Sequence, residues 1–248
     1  MGFIEWKAAS SLQRGPSTKD KGLGVRPFIS IIVPTLNVSG HIFAVLESTR
    51  AVPPVEVIVA DGGSGDDTAE LARSWGATVI CSARGRGKQM NLGAGAACGE
   101  ILLFLHGDTR LPPGYEVYVE EIARRPGVAA GAFRLRFDSP SPWLRIIEWT
   151  ANWRSQNRQL PFGDQGIFLR AGLFRRIGGF QEIPIMEDVE LIRRLRRIGR
   201  IQTAQAPVVT SARRYEAGGV LKRVLINKAA ISAHYLGVSP QRIARWYG

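Results

Sequence analysis

The sequence predicts an α/β protein: a mostly parallel sheet flanked by helices in one domain, followed by a basic helical segment. Three observations carry that expectation. Short apolar, β-branched runs recur from residue 28 onward, as in strands buried on both faces. Helix-length stretches separate them, which is the alternation of βαβ units. With 248 residues, the chain can bury a sizeable core without disulfides or a structural metal.

Residues 1–26 are rich in Lys, Ser and Gly with little periodicity and are expected to form a flexible leader. The main domain is expected over 27–215. Residues 28–33 read as the first strand, 40–50 as a helix and 55–60 as the second strand. Asp66 or Asp67 then caps a helix reaching Trp75. Strand 77–81, helix 88–97 and strand 101–105 follow. Beyond Pro112 come helix 115–124, a long alternating strand at 128–137 and helix 143–158. Trp143, Trp149 and Trp153 of that helix are expected in the core, with Trp149 and Trp153 sharing a face. A short strand at 166–170 leads toward the Gly178-Gly179 turn. Helix 187–198 is amphipathic: Val189, Leu191, Ile192, Leu195 and Ile198 are expected inward and its arginines mostly outward. Strand 207–211 closes the domain. Residues 216–248 set Val220, Leu221, Val224, Leu225 and Ile231 among Lys222, Arg223 and Lys228, a basic amphipathic segment.

Composition narrows the function classes. Apolar residues at 45% and charged residues at 22% exclude a disordered or fibrous chain. No apolar run approaches the about 20 residues of a membrane span. Cys81 and Cys98 form neither a CxxC pair nor a disulfide framework, which fits a reducing cytoplasm. Of the net charge of +12, residues 193–248 supply +11. Such asymmetry points to an anionic partner: a phosphorylated ligand, an acidic membrane face or nucleic acid.

In an open α/β sheet, ligands bind beyond the carboxyl ends of the strands, so polar residues there are the first candidates. The first strand runs into Pro34-Thr35-Leu36-Asn37, the second into Asp61-Gly62-Gly63-Ser64, and the fourth into His106-Gly107-Asp108-Thr109. A P-loop is absent. Gly93-Ala94-Gly95 comes near a dinucleotide fingerprint but precedes a strand, the reverse of the required order. Arg86 and Lys88, in a glycine-punctuated stretch before a helix, are placed to reach phosphate oxygens. Arg213 and Arg214, after the strand at 207–211, are placed to close over the same group.

These strand ends, with Asp67-Thr68, the Gly85–Gly95 stretch, Pro112, Phe162-Gly163-Asp164-Gln165-Gly166 and the helix-opening pair Glu187-Asp188, resemble family 2 glycosyltransferases of GT-A fold. The likeness covers about residues 28–215, and the stretches at 85–91 and 162–166 look like a small bacterial subgroup with a bare catalytic domain. The resemblance implies an inverting transfer of sugar from a nucleoside-diphosphate donor to an acceptor hydroxyl. It implies that Asp61 hydrogen-bonds the nucleobase, with Pro34, Thr35, Asn37 and Gly62 around the same pocket. Asp108 would hold a divalent cation, Mn²⁺ or Mg²⁺, against the diphosphate. Asp188, beside Glu187, would be the general base, with Asp164 as rival base or acceptor contact and Gln165 next to it. Many members carry Asp-x-Asp at the metal site. Here His106 stands at the first position, which weakens a site for hard, oxygen-preferring ions.

Two other readings differ in class. A sugar-phosphate nucleotidyltransferase would need a Gly-rich basic loop after the first strand, which Pro34-Thr35-Leu36-Asn37 lacks. An inactive polyanion or membrane-surface binder gains nothing from acidic groups in its cleft. The expected partners are a nucleotide-sugar, a hydroxyl acceptor, an anionic inner membrane face touched by residues 216–248, and a second copy of the chain, but not nucleic acid. The expected location is the cytoplasm.

Overall fold

Every residue of the first strand, β1 (Ile29–Thr35), is buried, the mark of a strand covered on both faces. Ile29, Ile31 and Val33 join one apolar cluster, and Ile32 joins a second on the opposite face. The computed structural model describes residues 28–51 and 55–247; the leader expected over 1–26 lies outside them.

After β1 come α1 (Ser39–Glu47), β2 (Glu56–Asp61), α2 (Thr68–Trp75), β3 (Thr78–Cys81), α3 (Arg86–Ala96), β4 (Ile101–Phe104), β5 (Thr109–Arg110) and α4 (Tyr115–Arg124). The second half contains β6 (Val128–Phe137), α5 (Pro142–Arg158), β7 (Ile167–Arg170), α6 (Ala171–Arg176), α7 (Glu187–Leu195) and β8 (Arg200–Thr210). Helices α8 (Arg213–Gly218), α9 (Val220–Tyr235) and α10 (Pro240–Tyr247) end the chain.

One eight-stranded sheet runs in the order β3-β2-β1-β4-β7-β6-β8-β5. β1–β4 are mutually parallel, β7 is antiparallel to both β4 and β6, β8 is parallel to β6, and β5 is antiparallel to β8. All strands but β5 and β7 therefore point one way, the mostly parallel α/β sheet expected. Their carboxyl ends share one edge, and a short 3-10 turn, Gly163–Gln165, enters β7 from that same edge.

The structure departs from the sequence expectation where periodicity is weak. β5, α6 and α8 are too short to show a period. β8 begins at Arg200, ahead of the expected 207, because Gln202, Thr203 and Gln205 interrupt its apolar run. Ile198 lies past the end of α7 and is 48% exposed rather than inward.

The largest correction concerns α5. Trp143, Trp149 and Trp153 are 66%, 68% and 45% exposed, so the tryptophans are not core. The helix instead buries Glu148, Asn152 and Ser155 beside Leu144 and Ala151. β6 supplies the reason. It meets β7 only at Gly131, so its later backbone groups have no strand on that side. Asn152 receives the Leu135 N–H at 2.7 Å and donates to the Leu135 carbonyl at 3.0 Å, while Glu148 receives the Phe137 N–H at 2.6 Å. Side chains of α5 thus satisfy a buried strand edge that would otherwise be orphaned.

The boundary expected at 215/216 falls inside α8. Val220 packs with Leu135, Phe137 and Leu144, while Ala230 and Ile243 are fully buried in a cluster with Ile185, Met186 and Val189. The basic segment is therefore joined to the domain through two apolar contacts. Among the described residues, no helix is long and apolar enough to cross a membrane.

Candidate active site

The strand-end residues fall into two groups. On the β1–β2 side, the register sets Thr35 opposite Asp61. Asp61 is 4% exposed, and its carboxylate accepts four hydrogen bonds. Oδ1 receives Thr35 Oγ1 at 3.1 Å and Ser64 Oγ at 2.5 Å; Oδ2 receives the N–H groups of Gly63 and Ser64 at 3.0 and 2.9 Å. Burial pulls its pKa up, but these bonds outweigh it and hold the carboxyl below its usual range. Gln89 donates from Nε2 to the carbonyls of Thr35 and Ala60, each at 2.8 Å, and a side chain at Gly62 would press on that amide. Pro34 is buried in β1. Asn37 is exposed, with φ +53, and its Oδ1 receives the Gly65 N–H at 2.8 Å.

The second group surrounds a cleft of about 250 Å³. Asp108, Asp164 and Asp188 line it, with His106, Arg86, Arg154 and Arg214. Asp108 follows β4 and accepts no hydrogen bond through its side chain from the described residues; its backbone carbonyl receives the Ser211 N–H at 3.0 Å, which ties it to the end of β8. Asp188 opens α7. Its Oδ2 receives the Gly163 N–H at 2.6 Å and its Oδ1 the Val189 N–H at 2.8 Å, so the carboxylate is held in one orientation. A Cβ at Gly163 would stand 2.8 Å from His106 Nε2 and 3.1 Å from Asp188 Oδ2; only glycine permits that approach. Met186, just before the pair, has φ +68, a strained conformation for a bulky residue and one held by the packing that aims this turn.

Burial dominates the charge states here. It pushes Asp164 up to about 6, against the pull of Arg154. It pushes His106 down to about 4, assisted by Arg86, so the imidazole is neutral over the physiological range. Arg154 stacks over the Phe162 ring at 3.5 Å and donates to the Leu160 carbonyl at 2.9 Å. Burial lowers its pKa, with Asp164 and Asp188 opposing that shift.

Several expected residues lie elsewhere. Glu187 does not line the cleft: it is 1% exposed, its Oε1 pairs with Arg86 Nε at 2.7 Å, and its Oε2 is buried without a partner. Burial pushes it up to about 7, although Arg86 opposes the shift. Gln165, expected as an acceptor contact, does not line the cleft either. It is fully buried, donates to the Phe133 carbonyl at 2.9 Å and receives the Phe162 N–H at 3.2 Å, so it anchors the turn that carries Asp164. Lys88 and Arg213 are exposed and do not line the cleft.

Other lining residues have no mark in the sequence. Tyr247 donates to Asn227 Oδ1 at 2.9 Å, and Asn227 Nδ2 donates to Tyr215 Oη at 3.1 Å, a chain linking α10, α9 and α8 across the mouth. Arg154 did carry a signal, since it is an arginine one turn after Ala151 on the side of α5 that faces the domain. The partners of Tyr215 and Tyr247 are set by packing between distant segments.

Among the described residues, no three His, Cys, Asp or Glu side chains converge as a metal site. Mg²⁺-type sites need only one or two carboxylates when substrate phosphates complete the shell. Asp108, whose carboxylate lines the cleft and accepts no hydrogen bond from the described residues, fits that shared arrangement; a cage made by the protein alone does not.

Residues 30–180 match the family model described as Glycosyl transferase family 2. PGL/p-HBAD biosynthesis glycosyltransferases of Mycobacterium bovis and Mycobacterium tuberculosis are 36% identical over 94 residues, 34% of this chain and 37% of theirs. The match thus spans little more than a third of those relatives. A mannosyltransferase from Pyrobaculum calidifontis, solved with GDP-Man and Mn²⁺, aligns with a TM-score of 0.58 at 19% identity over 75% of this chain and 57% of that one. Glucosyl-3-phosphoglycerate synthase from Mycobacterium tuberculosis, solved with Mn²⁺, UDP and phosphoglyceric acid, aligns with a TM-score of 0.55 at 22% identity over 81% and 76%. These likenesses show a shared GT-A fold, and with the match over 30–180 the chain belongs to glycosyl transferase family 2.

Proposed function

We propose that this protein transfers a sugar from a nucleoside-diphosphate donor to an acceptor hydroxyl in a single, inverting displacement. One observation carries the reading: in a family 2 fold, three aspartates and four arginines converge on one cleft at the carboxyl edge of the sheet. The acceptor oxygen attacks the anomeric carbon as the bond from that carbon to the diphosphate breaks. The acceptor proton passes to Asp188, which the Gly163 and Val189 N–H groups hold in place. Departing negative charge develops on the diphosphate, where Arg86 and Arg214 face it across the cleft.

A divalent cation, when bound, would neutralise that charge, and Asp108 with the diphosphate oxygens would hold it. Neutral His106 is the second ligand candidate. Asp164, beside Arg154, would orient the acceptor. The interlocked Thr35–Asp61–Ser64 turn would shape the nucleoside pocket, leaving Asn37 at its rim to contact the base. Asp61 then acts as scaffold, because its four acceptor positions are taken.

The test is release of nucleoside diphosphate from a panel of nucleotide-sugars. Asp188→Asn should slow release by about 10³-fold while keeping donor affinity; Asp164→Asn should retain turnover of bound donor by water and lose selectivity for the acceptor. Equal turnover by Asp188→Asn and wild type would refute Asp188 as base.

A further inference from the structure

The exposed face of α5 has no role in the reaction proposed above. Ile146, Trp149, Thr150 and Trp153 follow the i, i+3, i+4, i+7 spacing of one helix face, and Trp143 lies one turn earlier. Trp143, Ile146, Trp149 and Trp153 are 66%, 55%, 68% and 45% exposed. A contiguous apolar stripe on a soluble surface marks an interaction site, whereas scattered apolar residues do not. It borders the cleft, since Thr150 and the adjoining Ile147 and Arg154 line the cavity itself. On α9, which forms another wall of the cleft, Leu221 and Leu225 are 73% and 58% exposed at i, i+4 spacing.

Charge selects among occupants. The single acid of α5, Glu148, is buried and paired to Arg145. Arg158 lies over the Trp153 ring at 5.5 Å. Across the cleft, Lys222 and Lys228 are exposed, and Glu216 is the only acid in residues 193–248. A second copy docking through the same face would bring like charges together, whereas an anionic surface neutralises them. Tryptophan, with an apolar ring system and one polar N–H, suits the headgroup level of a bilayer.

We infer that the tryptophan face of α5, with Leu221 and Leu225 of α9, docks this protein on an anionic lipid bilayer and places the mouth of the cleft at the headgroups. The inference goes beyond the proposed reaction and rests on none of its steps. It also shifts the expected membrane contact from residues 216–248 alone to a surface shared with α5.

The test is flotation of the full chain with phosphatidylcholine vesicles, with and without phosphatidylglycerol, at low and high salt. Wild type should float with the anionic vesicles at low salt, with a blue shift of tryptophan emission. Trp143→Ser/Trp149→Ser should lower the partition at least about tenfold, the loss expected when two indole rings no longer bury. Lys222→Glu should weaken it by a smaller factor that vanishes at high salt. Circular dichroism and the melting temperature, unchanged in each variant, establish that it is folded. Absence of wild-type binding at low salt overturns the inference. So does undiminished binding by the tryptophan variant, which would leave the basic segment as the sole contact. Conversion of a wild-type dimer to a monomer by the tryptophan variant also overturns it, by assigning the face to a second copy.

Discussion

The two halves of the sheet edge treat their acidic side chains in opposite ways. At the ends of β1 and β2, Asp61 is saturated by four hydrogen bonds within its own turn, and its pKa is held down. Across the edge, Asp108 and Asp164 accept no side-chain hydrogen bonds from the described residues and share a cavity with Asp188, His106 and Arg154; Asp164 is pushed up to about 6. The first arrangement lowers the free energy of one loop conformation. The second leaves lone pairs free for a substrate, at a cost in stability. A buried carboxylate that already has all its partners shapes a site, and one without partners is available to act in it.

The contrast is sharpest in catalysis. Asp188→Asn should lower turnover by about 10³-fold, within the range of general-base contributions, with an unchanged melting temperature. Asp61→Ala should do the reverse. It leaves the Thr35 and Ser64 hydroxyls and two backbone N–H groups without their acceptor, and should cost about 2–4 kcal/mol of stability, seen in urea denaturation. Any loss of activity should then track unfolding and weaker donor binding. Gln165→Ala should cost about 1–3 kcal/mol through the orphaned Phe133 carbonyl and Phe162 N–H. Turnover by the folded fraction should change little, and a large rise in acceptor KM without destabilisation would contradict the anchoring role.

The smallest effect is one of pH. The folded protein holds Asp164's proton more tightly than the unfolded chain does, from the ordinary value of 3.8 up to about 6. Its contribution to stability is therefore full below pH 3.8 and is lost as pH rises through about 6. His106 acts in the other direction: its stabilising contribution is present above 6.5 and is lost as pH falls through about 4. Melting temperatures of wild type and Asp164→Asn across this range should converge at low pH and separate as pH rises, with wild type the less stable.

The same comparison separates what could be read in the sequence from what could not. β1 to β4 and the helices between them were legible because each strand is predominantly apolar and each crossover is local. Asp108 and Asp188 stood out because strand ends and helix starts are marked by turn chemistry. Side-chain contacts were less legible. Gln165 sits beside Asp164 in sequence, yet its side chain turns into the core while Asp164 lines the cleft. α5 misled because its buried face pairs with β6 through Asn152 and Glu148, which inverts the usual rule that apolar residues face inward. The Tyr215–Asn227–Tyr247 chain joins three helices whose docking no local pattern encodes.

In the proposed reaction, the second half of the edge receives a diphosphate held through Asp108. Thermal unfolding with UDP and GDP, each with and without Mn²⁺, tests it directly on wild type and Asp108→Ala. A ligand at about 100 times its Kd adds about 2.7 kcal/mol, a readily measured shift. A nucleoside diphosphate should stabilise wild type only with the metal, and Asp108→Ala should lose the shift while melting normally by itself. An equal shift without metal and in Asp108→Ala, or no shift with any nucleotide while unrelated polyanions stabilise the protein, would contradict it.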